Sequence, residues 1–151
     1  IKDLHDVKDM PSSMGSAIFA DYIAEKDDIA VARVRAAGAI IIGKTNTPEF
    51  GLGSHTYNPV HGTTYNPYDL SKSAGGSSGG AAAALSTRML PLADGSDMMG
   101  SLRNPAAWNN VYGFRPSFGL VPSEPGAEMF LQQNTTQGPI RKHKPTPYPV
   151  A

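Results

Sequence analysis

The sequence feature that most constrains the fold is a run of glycine and serine, SAGGSSGG at residues 73–80, followed directly by four alanines. Glycine lets a backbone approach a neighbouring segment closely, and alanine has the highest helix propensity. The pattern therefore predicts a tight loop that continues into a closely packed helix over residues 77–85. The 16 glycines and 13 prolines of the chain also indicate many turns.

The remaining sequence alternates helix and strand patterns, which is typical of an α/β fold. Asp27 and Asp28 precede an apolar segment that stops at Gly38, so we predict an N-capped helix there. Residues 39–42, Ala-Ile-Ile-Ile, predict a buried strand because the run is short, continuous and β-branched. Further along the chain, the pattern predicts a long loop at 51–76, a strand at 89–93, a polar turn at 94–100, a short helix at 102–108 and a strand at 111–114.

Composition excludes several classes of function. Lysine plus arginine (13) balance aspartate plus glutamate (13), so no surface for nucleic acid or membranes is indicated. The absence of cysteine excludes a disulfide framework and a thiolate site, and it fits a reducing compartment, so we expect a cytoplasmic protein. Histidines 5, 55 and 61 have no metal-ligand spacing, and we expect neither a metal nor a cofactor.

Two common interpretations of a Gly/Ser-rich loop fit poorly. The run Gly75 to Gly79 matches the nucleophile elbow, but no apolar strand precedes it and the only downstream histidine is His143 in a basic segment. A phosphate-binding loop requires a lysine directly before the helical serine or threonine, and none follows Gly80.

Five segments together resemble the amidase signature family. They are SAGGSSGG at 73–80, GSDMMGSLRNPA at 95–106, GKTNTPEF at 43–50, TYNPY at 64–68 and GFRPS at 113–117. The resemblance implies an α/β fold with a mixed β-sheet core covered by helices on both sides, of which this chain is an incomplete part. We expect residues 1–140 to form a partial amidase signature domain and residues 141–151 to be a disordered or atypical basic, proline-rich tail.

The resemblance also implies a catalytic set of two serines and a lysine. Ser101 corresponds to the nucleophile, Ser77 to the bridging serine and Lys2 to the base, whereas Lys44 corresponds to structural support. The Gly76–Ser77 peptide is expected to be cis. The backbone N–H groups expected to form an oxyanion hole are those of Met98, Met99, Gly100 and Ser101, and the expected supporting residues are Asp97, Arg103 and Ser78.

The pKa of Lys2 depends on whether its side chain is buried or solvated. A free lysine has a pKa of about 10.4, and burial can lower it by up to about 3–5 units, so a base at this position must be desolvated. Chain termini fray, however, and a frayed Lys2 is solvated and keeps a high pKa. We therefore expect this chain to have little or no activity alone, and its unpaired sheet edges to favour association.

One position departs from the family pattern. Met98 and Met99 stand where the family more often has a small residue and then glycine. Two interpretations remain open: the methionines narrow the substrate pocket, or they pack into the core as flexible side chains.

The function implied by the resemblance is hydrolysis of a small, hydrophobic carboxylic amide through an acyl-enzyme. An alternative is a glutamine-amidase component of a tRNA-dependent amidotransferase, which needs protein and RNA partners and an arginine clamp that we cannot identify. A further alternative is an inactive fragment that serves as an interaction module. The expected partners are the small-molecule amide and either a second copy of the chain or the remainder of a larger one.

Overall fold

The computed structural model of the protein describes residues 1–123 and 135–142. It contains three α-helices: α1 (Ile29–Ala36), α2 (Gly79–Ser86) and α3 (Arg103–Trp108). Its strands are β1 (Tyr57–Asn58), β2 (Gly62–Thr63), β3 (Tyr65–Asn66), β4 (Asp69–Ser73), β5 (Leu92–Asp97), β6 (Val111–Gly113) and β7 (Thr136–Lys142). Short 3-10 turns cover Ala17–Phe19 and Glu49–Gly51.

The largest sheet is antiparallel, with β7 between β5 and β6. Helices α2 and α3 pack on it, and their shared core contains Ala81, Ala82, Leu85, Leu102 and Ile140, all completely buried. The packing is close because the facing positions carry no side chain. A Cβ on Gly95 would lie 2.6 Å from Cδ2 of Leu102.

The predicted helix after Asp27 and Asp28 is confirmed as α1, and the chain leaves it through Gly38 at a φ of 93°. Asp28 occupies the N-cap position, but its carboxylate makes no capping bond and instead accepts the backbone N–H of Asp6 at 3.1 Å.

The predicted buried strand at residues 39–42 is wrong. These residues belong to no strand, and the side chains of Ile40 and Ile42 are 88% and 70% exposed. A strand requires hydrogen-bonding neighbours, and no described residue pairs with this run. Pairing begins only beyond it, in a parallel bridge between Lys2 and Thr45.

The loop predicted at 51–76 is wrong in part, because two antiparallel pairs, β1–β2 and β3–β4, lie within it. The strand predicted at 89–93 lies instead at Leu92–Asp97, so more than half of the predicted polar turn is strand. Polar residues occur in this strand because one of its faces contacts the candidate site. The predicted short helix and the last predicted strand are confirmed as α3 and β6.

Strand β7 was not predicted. It contains Gly138 and Pro139, which locally favour a turn, and it pairs on both sides with residues at least 27 positions away in sequence. The strand includes Arg141 and Lys142, the first two residues of the predicted tail. The rest of that tail lies outside the described residues, and the division at residue 140 stays a prediction.

In the described part of the chain, none of the helices has the length and apolar character needed to cross a membrane.

Candidate functional site

The candidate site is built around Lys2, which is completely buried. Two backbone contacts hold it in place. The N–H of the next residue, Asp3, donates to the carbonyl of Thr45 at 3.0 Å, and the N–H of Lys2 itself donates to Oδ1 of Asp94 at 2.6 Å. Lys2 is thus held between the segment at Thr45, which runs parallel to it, and strand β5.

The ammonium group of Lys2 contacts three serine hydroxyls. Its Nζ lies 2.6 Å from Oγ of Ser77, 3.0 Å from Oγ of Ser78 and 2.9 Å from Oγ of Ser96. Ser77 and Ser78 were predicted site residues, but Ser96 was missed. Alternation along a strand puts Asp94 and Ser96 on the same face, and that signal was hidden by the prediction of a turn here.

Burial changes the chemistry of Lys2. Desolvation lowers its pKa from 10.5 to about 7, although the negative charges of Asp94 and Asp97 act in the opposite direction. The expectation that Lys2 frays and keeps a high pKa is therefore wrong. The physical reason is that backbone pairing and the Asp94 contact fix residues that would be mobile at an unpaired terminus.

The loop that carries Ser77 is packed too closely to accept side chains before the serine. A Cβ on Gly75 would lie 2.9 Å from Cε3 of Trp108, and a Cβ on Gly76 would lie 2.9 Å from backbone atoms of His55. The Gly76–Ser77 peptide is cis, as predicted. Ser77 itself is only 2% exposed.

Thr56 fastens both ends of this loop. Its hydroxyl donates to the carbonyl of Gly75 at 2.8 Å and accepts the N–H of Gly79 at 3.0 Å. The start of α2 is therefore fixed relative to the serine, since Gly79 is the first residue of that helix. Thr56 was not singled out by sequence reasoning, because a threonine in a loop carries no local signal of such a contact.

Asp97 organises the turn between β5 and α3. Its carboxylate accepts the N–H groups of Gly100 at 2.9 Å, Leu102 at 3.1 Å and Arg103 at 3.3 Å. The Arg103 guanidinium adds two bonds of 3.0 Å, and Arg115 lies 3.2 Å away. Burial alone raises the pKa of Asp97, but the Arg103 side chain and the three N–H donors outweigh it and hold that pKa well below its ordinary value.

This turn brings Ser101 beside the lysine–serine cluster. The carbonyl oxygen of Ser101 accepts the N–H of Ser78 at 3.2 Å, so residue 101 lies directly against the loop that carries Ser77. Ser101 is half-buried, and Gly100 before it has a φ of 115°, a conformation that favours glycine.

The predicted oxyanion donors divide into two groups. The N–H of Gly100 is already donated to Asp97, so this donor is engaged. No described residue accepts from the backbone N–H groups of Met98, Met99 and Ser101. Met99 is 83% exposed, so the interpretation that it packs into the core is wrong for this residue, whereas Met98 is half-buried.

Lys44 lies outside the cluster of serines. Its Nζ is 2.8 Å from Oδ1 of Asp3 and 3.2 Å from both the carbonyl of Pro11 and Oγ of Ser12. These contacts fit the predicted supporting role. Within residues 1–123 and 135–142, no group of three or more histidine or acidic side chains is arranged to hold a metal ion.

Comparisons with known proteins agree with the resemblance of the motifs. The sequence model of the Amidase family matches residues 1–143. A glutamyl-tRNA(Gln) amidotransferase subunit of Alkaliphilus metalliredigens (strain QYMF) is 46% identical over 142 residues, which cover 94% of this chain and 29% of the relative.

Solved structures show the same similarity. The 6-aminohexanoate cyclic dimer hydrolase complexed with substrate has a TM-score of 0.87 at 33% identity, over 93% of this chain and 30% of that one. A bacterial aryl acylamidase of the amidase signature enzymes family has a TM-score of 0.84 at 35% identity, over 94% and 30%. These similarities confirm the predicted α/β fold class, and the chain spans less than a third of the length of these relatives.

Proposed function

Because the chain belongs to the amidase family, we propose that it carries the serine–serine–lysine site of an amide hydrolase. The proposed substrate is a small, hydrophobic carboxylic amide, and the reaction passes through an acyl-enzyme. One observation carries the proposal. The buried Lys2, with a pKa of about 7, lies 2.6 Å from the hydroxyl of Ser77, and the loop that carries Ser77 contacts Ser101.

The neutral amine of Lys2 is the base in this mechanism. A serine hydroxyl is a weak nucleophile until its proton is removed, and a lysine with an ordinary pKa stays charged at neutral pH. With a pKa of about 7, about half of the Lys2 side chains are neutral at pH 7. The amine then accepts the proton of Ser77 while it donates to Ser78 and Ser96.

The first step is the attack of Ser101 on the amide, in which two protons move and one bond forms. Ser101 passes its hydroxyl proton to Ser77, Ser77 passes its own to Lys2, and Oγ of Ser101 bonds to the amide carbonyl carbon. The carbonyl oxygen becomes an oxyanion that accepts from the N–H groups of Met98, Met99 and Ser101, each worth about 2.7–4 kcal/mol of barrier.

Collapse of this intermediate breaks the C–N bond and produces the acyl-enzyme. The leaving amine takes a proton from Ser77, which recovers one from Lys2. A water molecule then attacks the ester carbon of the acyl-enzyme and gives its proton to Ser77, which passes its own proton to Lys2. The ester bond to Ser101 breaks and the carboxylic acid is released. Ser101 recovers its hydroxyl proton at the end of the cycle.

A second candidate function is the glutamine-amidase step of a tRNA-dependent amidotransferase. It is favoured by the 46% identity to the glutamyl-tRNA(Gln) amidotransferase subunit of Alkaliphilus metalliredigens. Glutamine would be the acyl donor, and the leaving amine would be ammonia. Met98 and Met99 argue against this second function, because they depart from the turn sequence expected in the glutamine-amidase subunits of the family.

Labelling with a fluorophosphonate probe tests the proposal, because the probe forms an Oγ–P bond and releases fluoride only at an activated serine. We expect mass spectrometry to place the adduct on Ser101. Ser101→Ala should abolish the adduct, whereas Ser117→Ala, a change at an exposed serine, should not.

Equal labelling of the Ser101→Ala variant would show the nucleophile assignment to be wrong. No labelling of the parent chain would favour an inactive fragment. Where labelling succeeds, hydrolysis of aliphatic and aromatic amides compared with glutamine separates the two candidate functions, and turnover of glutamine alone favours the amidotransferase.

A further inference from the structure

Strand β5 carries an acidic residue in direct contact with the backbone of the proposed base. We propose that Asp94 is a positioning residue for Lys2, which holds the lysine backbone against β5 and supplies the negative charge that governs its protonation. This inference rests on the proposed function, since it concerns the base of that reaction.

The positioning part follows from geometry. Oδ1 of Asp94 accepts the N–H of Lys2 at 2.6 Å, and charged acceptors form hydrogen bonds about twice as strong as neutral ones. Two positions further along the same strand, Ser96 accepts from Nζ of Lys2 at 2.9 Å. Strand β5 therefore contacts both ends of the lysine, the backbone through Asp94 and the side chain through Ser96.

The charges around Lys2 show why Asp94 matters among its acidic neighbours. Asp97 is the other carboxylate that acts on Lys2. Its negative charge is paired with two arginines, since Arg103 and Arg115 both lie within 3.2 Å of the Asp97 carboxylate. The turn at residues 76–78 contributes hydroxyls only.

The segments on either side of Lys2 bring further charges. Asp3 follows Lys2 in the chain and is paired with Lys44 at 2.8 Å. On the other side of Lys2, the backbone nitrogen of Ile1 lies 3.7 Å from Oδ1 of Asp94. Ile1 is unchanged in the parent and in every variant, so a difference between them reports the contribution of Asp94.

Asp94 therefore sets a balance between two requirements. Burial favours the neutral amine, and the carboxylate favours the charged amine, which is the form that returns a proton to the leaving group. A base that must also act as an acid works best with a pKa near the operating pH. Without the carboxylate, Lys2 would be neutral over a wider pH range but would be a weaker base, so it would take the proton of Ser77 less readily.

The test is an NMR titration of Lys2 in protein labelled with ¹³C at the lysine ε position, with the Lys2 signal assigned from its loss in Lys2→Met. Asp94→Asn keeps an oxygen acceptor and removes the charge. We expect the pKa of Lys2 to fall by about half a unit or more relative to the parent. Asp69→Asn, at an exposed position on β4, should leave it unchanged.

A pKa of Lys2 that stays the same or rises in Asp94→Asn would overturn the inference. If that variant does not fold, Asp94→Ser also removes the charge and keeps a hydroxyl acceptor, and the same result is expected of it. The titration needs no turnover, so it is independent of the proposed function. Failure of Ser101 to react with the fluorophosphonate would count against that function, while a lowered pKa of Lys2 would still support the role of Asp94.

A kinetic readout separates positioning from general stability. In Asp94→Asn, the pH midpoint of Ser101 labelling should move to lower pH by the same amount as the pKa of Lys2. A variant that merely loosens the fold would lower the labelling rate at every pH and leave the midpoint in place, and that outcome would contradict the proposal.

Discussion

Nζ of Lys2 lies 2.6 Å from Oγ of Ser77, although 75 positions separate the two residues in sequence. Both side chains are nearly or completely buried, with exposures of 0% and 2%. A buried amine next to a buried hydroxyl is a proton-transfer pair whose behaviour depends on pH and on the neighbours of the amine.

The first prediction concerns pH. Since the neutral amine is the proposed base, fluorophosphonate labelling of Ser101 should rise as pH increases through about 7 and level off about one unit above. Lys2→Ala should abolish this dependence together with most of the labelling. A rate that is flat between about pH 6 and pH 8 would argue against Lys2 as the titrating group.

The second prediction concerns stability. The folded pKa of Lys2, about 7, is lower than the unfolded value of 10.5, so the unfolded state binds more protons between these limits. The free energy of unfolding should therefore increase with pH across this window, by up to about 1.4 kcal/mol per unit. Below about pH 7 the full cost of burying the charged amine opposes folding.

Lys2→Met keeps the approximate volume and removes the titration, so this component of the slope should disappear. Urea denaturation at about pH 7, 8 and 9 measures it, with Lys72→Met at an exposed position as the control. Identical slopes for the parent and Lys2→Met would contradict the assigned pKa.

The third prediction separates the two lysines near the site. Lys2→Ala should reduce Ser101 labelling by at least about 100-fold, a typical loss for a general base. Lys44→Ala breaks an ion pair with Asp3 and leaves the three serine contacts of Lys2 in place, so a smaller loss is expected. If Lys44→Ala loses more labelling while its circular dichroism spectrum is unchanged, the assignment of the base is wrong.

The fourth prediction concerns the close approach of α2 to the segment before it. A Cβ on Gly80 would collide with the backbone N of Asn46 and lie 2.6 Å from its carbonyl oxygen. Alanine favours a helix by about 1 kcal/mol over glycine, but this backbone contact cannot move aside, so Gly80→Ala should destabilise the fold by about 1–3 kcal/mol.

Gly43→Ala is the matched control, because no atom lies within 4 Å of its added Cβ. Its effect should stay within about 0.5 kcal/mol, as for ordinary surface changes. Thermal denaturation of the two variants and the parent measures the difference. An equally stable Gly80→Ala protein would mean that α2 lies further from Asn46 than these distances indicate.

Sequence reasoning was most successful where the signal was local. Helix α1 was predicted from its positions after Asp28 and before Gly38, although the Asp28 carboxylate makes no capping bond. Helix α2 follows from the alanine run after the glycines. The resemblance to the amidase signature family also singled out Lys2, Ser77 and Ser101 as residues that the structure brings together. Their catalytic roles stay predictions.

Sequence reasoning failed where the outcome depended on distant partners. Residues 39–42 have the composition of a buried strand, yet no described residue pairs with them, and Ile40 is exposed. Strand β7 contains Gly138 and Pro139, and only its two neighbouring strands make it a strand. The hydroxyl of Ser96 reaches Lys2 because β5 begins and ends later than the local pattern indicates.

By itself, the sequence determined which segments lack the side chains that would prevent close packing, and where α1, α2 and α3 form. Those properties depend on a few neighbouring residues, through steric freedom and helix propensity. The protonation of Lys2 and the contacts of Asp94 and Asp97 were decided only by the tertiary structure. Desolvation and charge pairing depend on distances between groups far apart in the chain, and folding alone sets those distances.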